Sequence, residues 1–142
     1  MEDYNLILQM IRYCITKDLM CNEYKINDEQ NTITFTYKDV SFVCFYEKDD
    51  PYYIRILIPE IDTICDHTTV EIYKYILELN ARFKTGKFIL IDNALWISAE
   101  VMLSGNTRIP PVLFTLVNLL IHMRDEYALF IKDKVLAENN TK

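Results

Sequence analysis

Apolar side chains recur at Tyr4, Ile7, Leu8, Ile11, Cys14 and Ile15, with Asn5, Gln9, Arg12 and Thr16 on the opposite side. That spacing predicts an amphipathic helix from about Asp3, which can cap it, to about Met20. The period then changes. A short strand candidate, Tyr24 to Asn27, leads into the turn cluster Asp28-Glu29-Gln30-Asn31. Two runs rich in β-branched and aromatic residues, TITFTY and VSFVCFY, follow on either side of Lys38-Asp39. They predict two strands joined by a tight hairpin. With Lys38-Asp39 as the loop, Tyr37 faces Val40, Phe35 faces Phe42 and Ile33 faces Cys44 on one apolar face. The other face sets Thr32, Thr34 and Thr36 opposite Phe45, Val43 and Ser41. A further strand from Tyr52 puts Ile54, Ile56 and Ile58 on one side, and Tyr53, Arg55 and Leu57 on the other. Pro59 to Asp66 reads as a loop.

Thr68 and Glu71 fit a capping box that opens a second helix, ending near Phe83. Glu71, Lys74, Glu78 and Arg82 form its wet stripe, in which Glu78 and Arg82 make a pair worth ~0.3 kcal/mol. Gly86 stands just past the helix, where a left-handed residue often ends one. The segment GKFILIDNALWISAEVML then reads as a hairpin about Asp92-Asn93. In that register Ile91 faces Ala94, Leu90 faces Leu95, Ile89 faces Trp96 and Phe88 faces Ile97. Phe88, Leu90, Leu95, Ile97, Ala99, Val101 and Leu103 form an uncharged side, hence the core side. The loop at Gly105 leads to Pro110-Pro111, which open a last helix running to about Leu136, since proline suits a first turn. Thr115, Asn118, His122 and Asp125 are its polar stripe, and the tail from Glu138 frays. The order is α, three or four strands, α, two strands, α. This predicts one α+β domain over residues 1–142 built on an antiparallel sheet.

The second face of that sheet is the unusual feature. It holds Ile89, Ile91 and Trp96 beside Lys87, Ser98 and Glu100, with Val43, Phe45, Leu57 and Tyr53 as counterparts on the earlier strands. Two covers fit it: one of the three helices, or another chain. Apolar patches left open on soluble proteins mark interaction sites, and a central tryptophan is a natural anchor.

Composition narrows the function. With 142 residues, 51% hydrophobic and 25% charged, the chain buries one globular core. A net charge of -6 without a basic stripe disfavours nucleic acid and anionic membrane as partners. The acidic start MEDYNLILQM lacks the basic opening of a signal peptide, and Val112 to Ile121 is too short to span a bilayer. A cytoplasmic location is the expectation. Only two glycines are present, too few for a phosphate-cradling loop. Cys14, Cys21, Cys44 and Cys65 form no close pair, so they read as buried thiols rather than zinc ligands. His67 precedes a helix cap, and His122 lies within reach of Asp125 or Glu126, but no nucleophile can be assigned to either. Asp49-Asp50 and Asp62 to Asp66 lack the glycine and alternation of a calcium loop, and Glu100 has no acid partner. The sequence predicts no catalysis, cofactor or metal.

Leu77 to Leu103 carries a resemblance. A helix ends in Leu79-Asn80, a short gap leads to Lys87-Phe88, and a hairpin and a final helix follow. This resembles the YbjN-like group and, more loosely, the bacterial type III secretion chaperones, which share the same element order. The resemblance implies a small α+β domain without enzymatic activity and with no active-site residues. The secretion chaperones are homodimers that hold partially unfolded client segments on apolar surfaces, and YbjN-like proteins are linked to regulation. The expectation is therefore a non-catalytic protein-binding domain, dimeric and chaperone-like or regulatory. Its partner is a client or a second copy, met by Val43, Phe45, Leu57, Ile89, Ile91 and Trp96. Two other readings stand beside it: a small-molecule-binding or hydrolytic domain using His122 or Cys44, and a structural domain of a larger assembly.

Overall fold

The computed structural model describes residues 2–64, 68–104 and 108–140. Its elements run α1 (Glu2–Tyr13), a π-helical turn (Cys14–Asp18), β1 (Tyr24–Asn27), β2 (Thr32–Tyr37), β3 (Val40–Tyr46) and β4 (Tyr53–Thr63). They continue with α2 (Val70–Arg82), β5 (Gly86–Ile91), β6 (Ala94–Met102) and α3 (Ile109–Asn140). The six strands form one antiparallel sheet in the order β1-β2-β3-β4-β6-β5.

Both expected hairpins close through residues with positive φ, Lys38 at 50° and Asp39 at 61°, then Asp92 at 48° and Asn93 at 65°. Two such residues give the loop a twist that matches the right-handed twist of the strands. The pairs Phe35↔Phe42 and Ile33↔Cys44, and Ile89↔Trp96 and Phe88↔Ile97, stand as the alternation required.

β4 departs from expectation. It continues past Pro59 to Thr63 in place of the expected loop. Ile58 pairs with Ile97 and Asp62 with Leu95, so β4 advances four residues (62 − 58) while β6 advances two (97 − 95). Glu60 takes φ 47° within the extra length. Proline has no N–H to give a ladder, and a bulge is where a strand tolerates it. Cys65, Asp66, His67 and the loop at Gly105 lie outside the described residues.

One buried cluster joins the helices to one face of the sheet. Ile7 and Ile11 of α1, Ile76 and Leu79 of α2, and Leu113, Val117, Leu120 and Met123 of α3 pack with Ile33, Phe42, Cys44, Ile56, Leu95 and Ile97. Every one of those strand residues points the same way. The three helices therefore form a single layer on a single side.

Several local expectations are corrected. α1 stops at Tyr13, and the chain continues as a π turn that Leu19 N–H closes onto Cys14 O at 2.9 Å, with Met20 at φ 54°. Thr69, not Thr68, is the N-cap of α2 and makes no side-chain cap bond, while Glu71 pairs with Lys134 of α3. Arg82 pairs with Glu126 of α3 rather than with Glu78. α3 holds its helix to Asn140, through the expected fraying point at Glu138. Gly86 has no positive φ and is the first residue of β5. A Cβ there would overlap Met123 Sδ and come 3.5 Å from Leu120 Cδ2, so close approach of α3 explains the glycine. Leu90 has the core-side register but is 53% exposed, because it lies near the tip of an edge strand.

That edge is sealed by a side chain. Asn80 Nδ2 donates to Phe88 O at 3.0 Å, and Phe88 N–H donates to Asn80 Oδ1 at 2.7 Å. The amide thus imitates a seventh strand at one residue. Lys87 Nζ donates to Asn80 O at 2.6 Å and also to Phe83 O, which closes the end of α2. Natural sheets guard their edges in such ways against pairing with other chains.

Candidate functional site

Among the described residues, the apolar part of the second sheet face lies outside the helix-packed core, and only Lys87 at its edge reaches a helix, at the end of α2. Val43, Phe45, Ile89, Ile91 and Trp96 are all absent from the helix-packed cluster and from the residues packed against it. The six residues expected at a partner surface do share this face. Val43 pairs with Leu57, Leu57 with Ser98 and Ser98 with Lys87; Phe45 pairs with Arg55 and Arg55 with Glu100; Trp96 pairs with Ile89.

They are not equally available. Leu57 is 2% exposed without belonging to the helix-packed cluster, so its own neighbours on the face bury it. It acts as the floor of the band rather than as a contact residue. Val43, Phe45, Ile89 and Trp96 are half-buried, and Ile91 is 37% exposed. The band crosses β3, β4, β6 and β5. Toward β1 the face becomes wet, with Thr34, Thr36 and Ser41 exposed.

A polar bridge interrupts the band. Arg55 Nε donates to Ser98 Oγ at 3.1 Å and lies 3.4 Å from Glu100 Oε1. Burial, and next the nearby Glu100 carboxylate, push the Tyr53 hydroxyl above its ordinary pKa. Trp96 sits opposite the β4 bulge, between the Ile58↔Ile97 and Asp62↔Leu95 pairs. Its Nε1 is buried and has no hydrogen-bond acceptor among the described residues. Bulges re-aim side chains near sites, and this one leaves the indole without a ladder partner on β4.

The residues considered for chemistry do not assemble. Cys44 lies on the helix-covered face with no exposure, and burial pushes its thiol pKa up to about 12. Cys14 and Cys21 are likewise buried free thiols. His122 is exposed on α3, 3.1 Å from Glu126 Oε1 and edge-on to Phe83. Among the described residues no group of three or more His, Cys, Asp or Glu is placed to hold a metal. No described helix is long and apolar enough to cross a membrane.

Sequence reasoning missed the bulge, and with it the exceptional position of Trp96. The signal was Pro59 directly after the alternating run that ends at Ile58. Compared with protein-family models and with curated proteins, the sequence matches none.

Proposed function

We propose that the chain is a non-catalytic protein-binding domain of the chaperone-like or regulatory kind, which holds an extended apolar segment of another protein on its second sheet face. One observation carries this reading: all three helices pack on the other side, leaving Val43, Phe45, Ile89, Ile91 and Trp96 without a cover among the described residues. Fully burying side chains of this size is worth roughly 1.5–3 kcal/mol each, and the half-buried ones here retain part of that. Trp96 Nε1 is a donor without an acceptor among the described residues, and a backbone carbonyl of an extended segment supplies one after a small ring shift. The Arg55–Ser98–Glu100 bridge gives the bound segment a polar landmark and hence a register. The resemblance to the secretion chaperones points the same way.

The test is suppression of aggregation of a reduced, unfolded polypeptide, followed by light scattering. Stoichiometric wild-type protein is expected to delay aggregation. Phe45→Lys and Ile91→Lys are expected to lose the effect with unchanged far-UV circular dichroism. A wild-type protein without effect, or two lysine variants as active as wild type, would sink the reading.

A further inference from the structure

α1 packs against α3, and a trough runs between α1 and the first turns of α3. Two adjoining cavities of about 440 and 450 Å³ form it, sharing Tyr13, Pro110 and Pro111. Volumes of that size suit a small ligand. Leu6 and Met10 line the first cavity and Phe114 the second. Leu6 is 52% exposed, Tyr13 55% and Phe114 40%, so this apolar wall is open. The charged groups divide between the cavities, Arg108 in the first and Asp18 in the second. Arg108 is exposed and enters no ion pair among the described residues.

The wall suits an alkyl chain better than a peptide. Pro110 and Pro111 have no N–H to donate. Their carbonyls already accept from Cys14 Sγ at 3.5 Å and Thr115 Oγ1 at 2.9 Å. An extended peptide needs backbone partners along its length, and these two residues supply none. We propose that the trough binds a free medium-chain fatty acid, its carboxylate on Arg108 and its alkyl chain along Tyr13, Pro110 and Pro111 toward Phe114. A planar guanidinium takes a carboxylate through two parallel hydrogen bonds. Asp18 in the second cavity repels the head and so fixes the direction of the ligand. The protein's net charge of -6 favours one negative head over a multiply charged one. From Leu6 to Tyr13 the helix α1 rises roughly 10 Å, which selects a medium rather than a long alkyl chain. The site is separate from the second sheet face and does not depend on it.

Isothermal titration calorimetry with octanoate tests it. Wild type is expected to give saturable heat with one site. Arg108→Gln is expected to weaken octanoate at least tenfold while leaving the weaker binding of octanol, which carries no charge, unchanged. Tyr13→Glu is expected to abolish octanoate binding with unchanged far-UV circular dichroism, and Ile91→Lys to bind octanoate as wild type does. A wild type without saturable heat, an Arg108→Gln variant that binds octanoate as tightly as wild type, or octanol bound as tightly as octanoate overturns the proposal. So does loss of octanoate binding in Ile91→Lys, which moves the ligand to the sheet. A wild type that ignores octanoate, with a Tyr13→Glu variant that no longer delays aggregation of the unfolded polypeptide, overturns it too and gives the trough to the polypeptide.

Discussion

Replacing Asn80 by alanine removes both hydrogen bonds that seal the free edge of β5. The amide accepts from Phe88 N–H at 2.7 Å and donates to Phe88 O at 3.0 Å, and among the described residues no other side chain bonds either group. Each such bond contributes roughly 0.5–1.5 kcal/mol net, so the pair is worth about 1–3 kcal/mol. The upper part of that range applies if α2 stays in place and keeps water from the two freed groups. Urea unfolding measures the loss, and amide exchange at Phe88 localises it. Asn80→Asp separates the two bonds: its carboxylate still accepts from Phe88 N–H but gives nothing to Phe88 O. It is expected to recover at most half of the alanine loss. An alanine loss below about 0.5 kcal/mol, with Phe88 exchanging as slowly as in wild type, would refute the reasoning. The edge would then be held by α2 packing and by Lys87 rather than by the amide.

Gly86→Ala is expected to cost about 1–3 kcal/mol, because its Cβ overlaps the fully buried Met123 side chain. Combining it with Met123→Val is expected to destabilise by less than the sum of the single changes in the same urea assay. Converting Lys38-Asp39 to Asn-Gly is expected to raise stability by about 0.5–1 kcal/mol, since both positions hold positive φ without glycine. Stability is also expected to fall at high pH. Burial raises Cys14 and Cys44 from 9.0 to about 12, so unfolded thiols ionise where folded ones do not. Their contribution is complete below pH 9.0 and is lost as pH rises toward about 12. Cys44→Val is expected to flatten that slope in urea titrations run across the range.

The hairpins were legible because alternation and loop length fix register together. Slipping Ile33, Phe35, Phe42 and Cys44 by one residue sends them all to the wrong face. The same alternation places Val43, Phe45, Leu57, Ile89, Ile91 and Trp96 on one surface. Three-dimensional neighbours decided the rest. Glu71 had two uses, a cap or an ion pair, and Lys134, 63 residues away, took it. Gly86 was read by its place after a helix, but α3 packing sets its need for no side chain. Pro59 signalled a break in pairing, and sequence alone did not distinguish a loop from a bulge. Leu90 followed the core pattern to an exposed part of the edge strand near its tip. Leu57 is buried on a face that no helix-packed cluster includes, with Val43 and Ser98 as its cross-strand partners, and no local pattern encodes that.

Trp96 is the single tryptophan of the chain and lies within the proposed binding band, so its emission reports on that face directly. The decisive measurement titrates the protein with a labelled, unfolded polypeptide that lacks tryptophan. Label anisotropy follows binding, while Trp96 emission and acrylamide quenching follow the face. Trp96 is expected to shift to the blue and to become protected from acrylamide in step with anisotropy, and Ile91→Lys is expected to abolish both signals. Binding seen by anisotropy with Trp96 emission and quenching unchanged would contradict it, because the polypeptide would then lie elsewhere on the molecule.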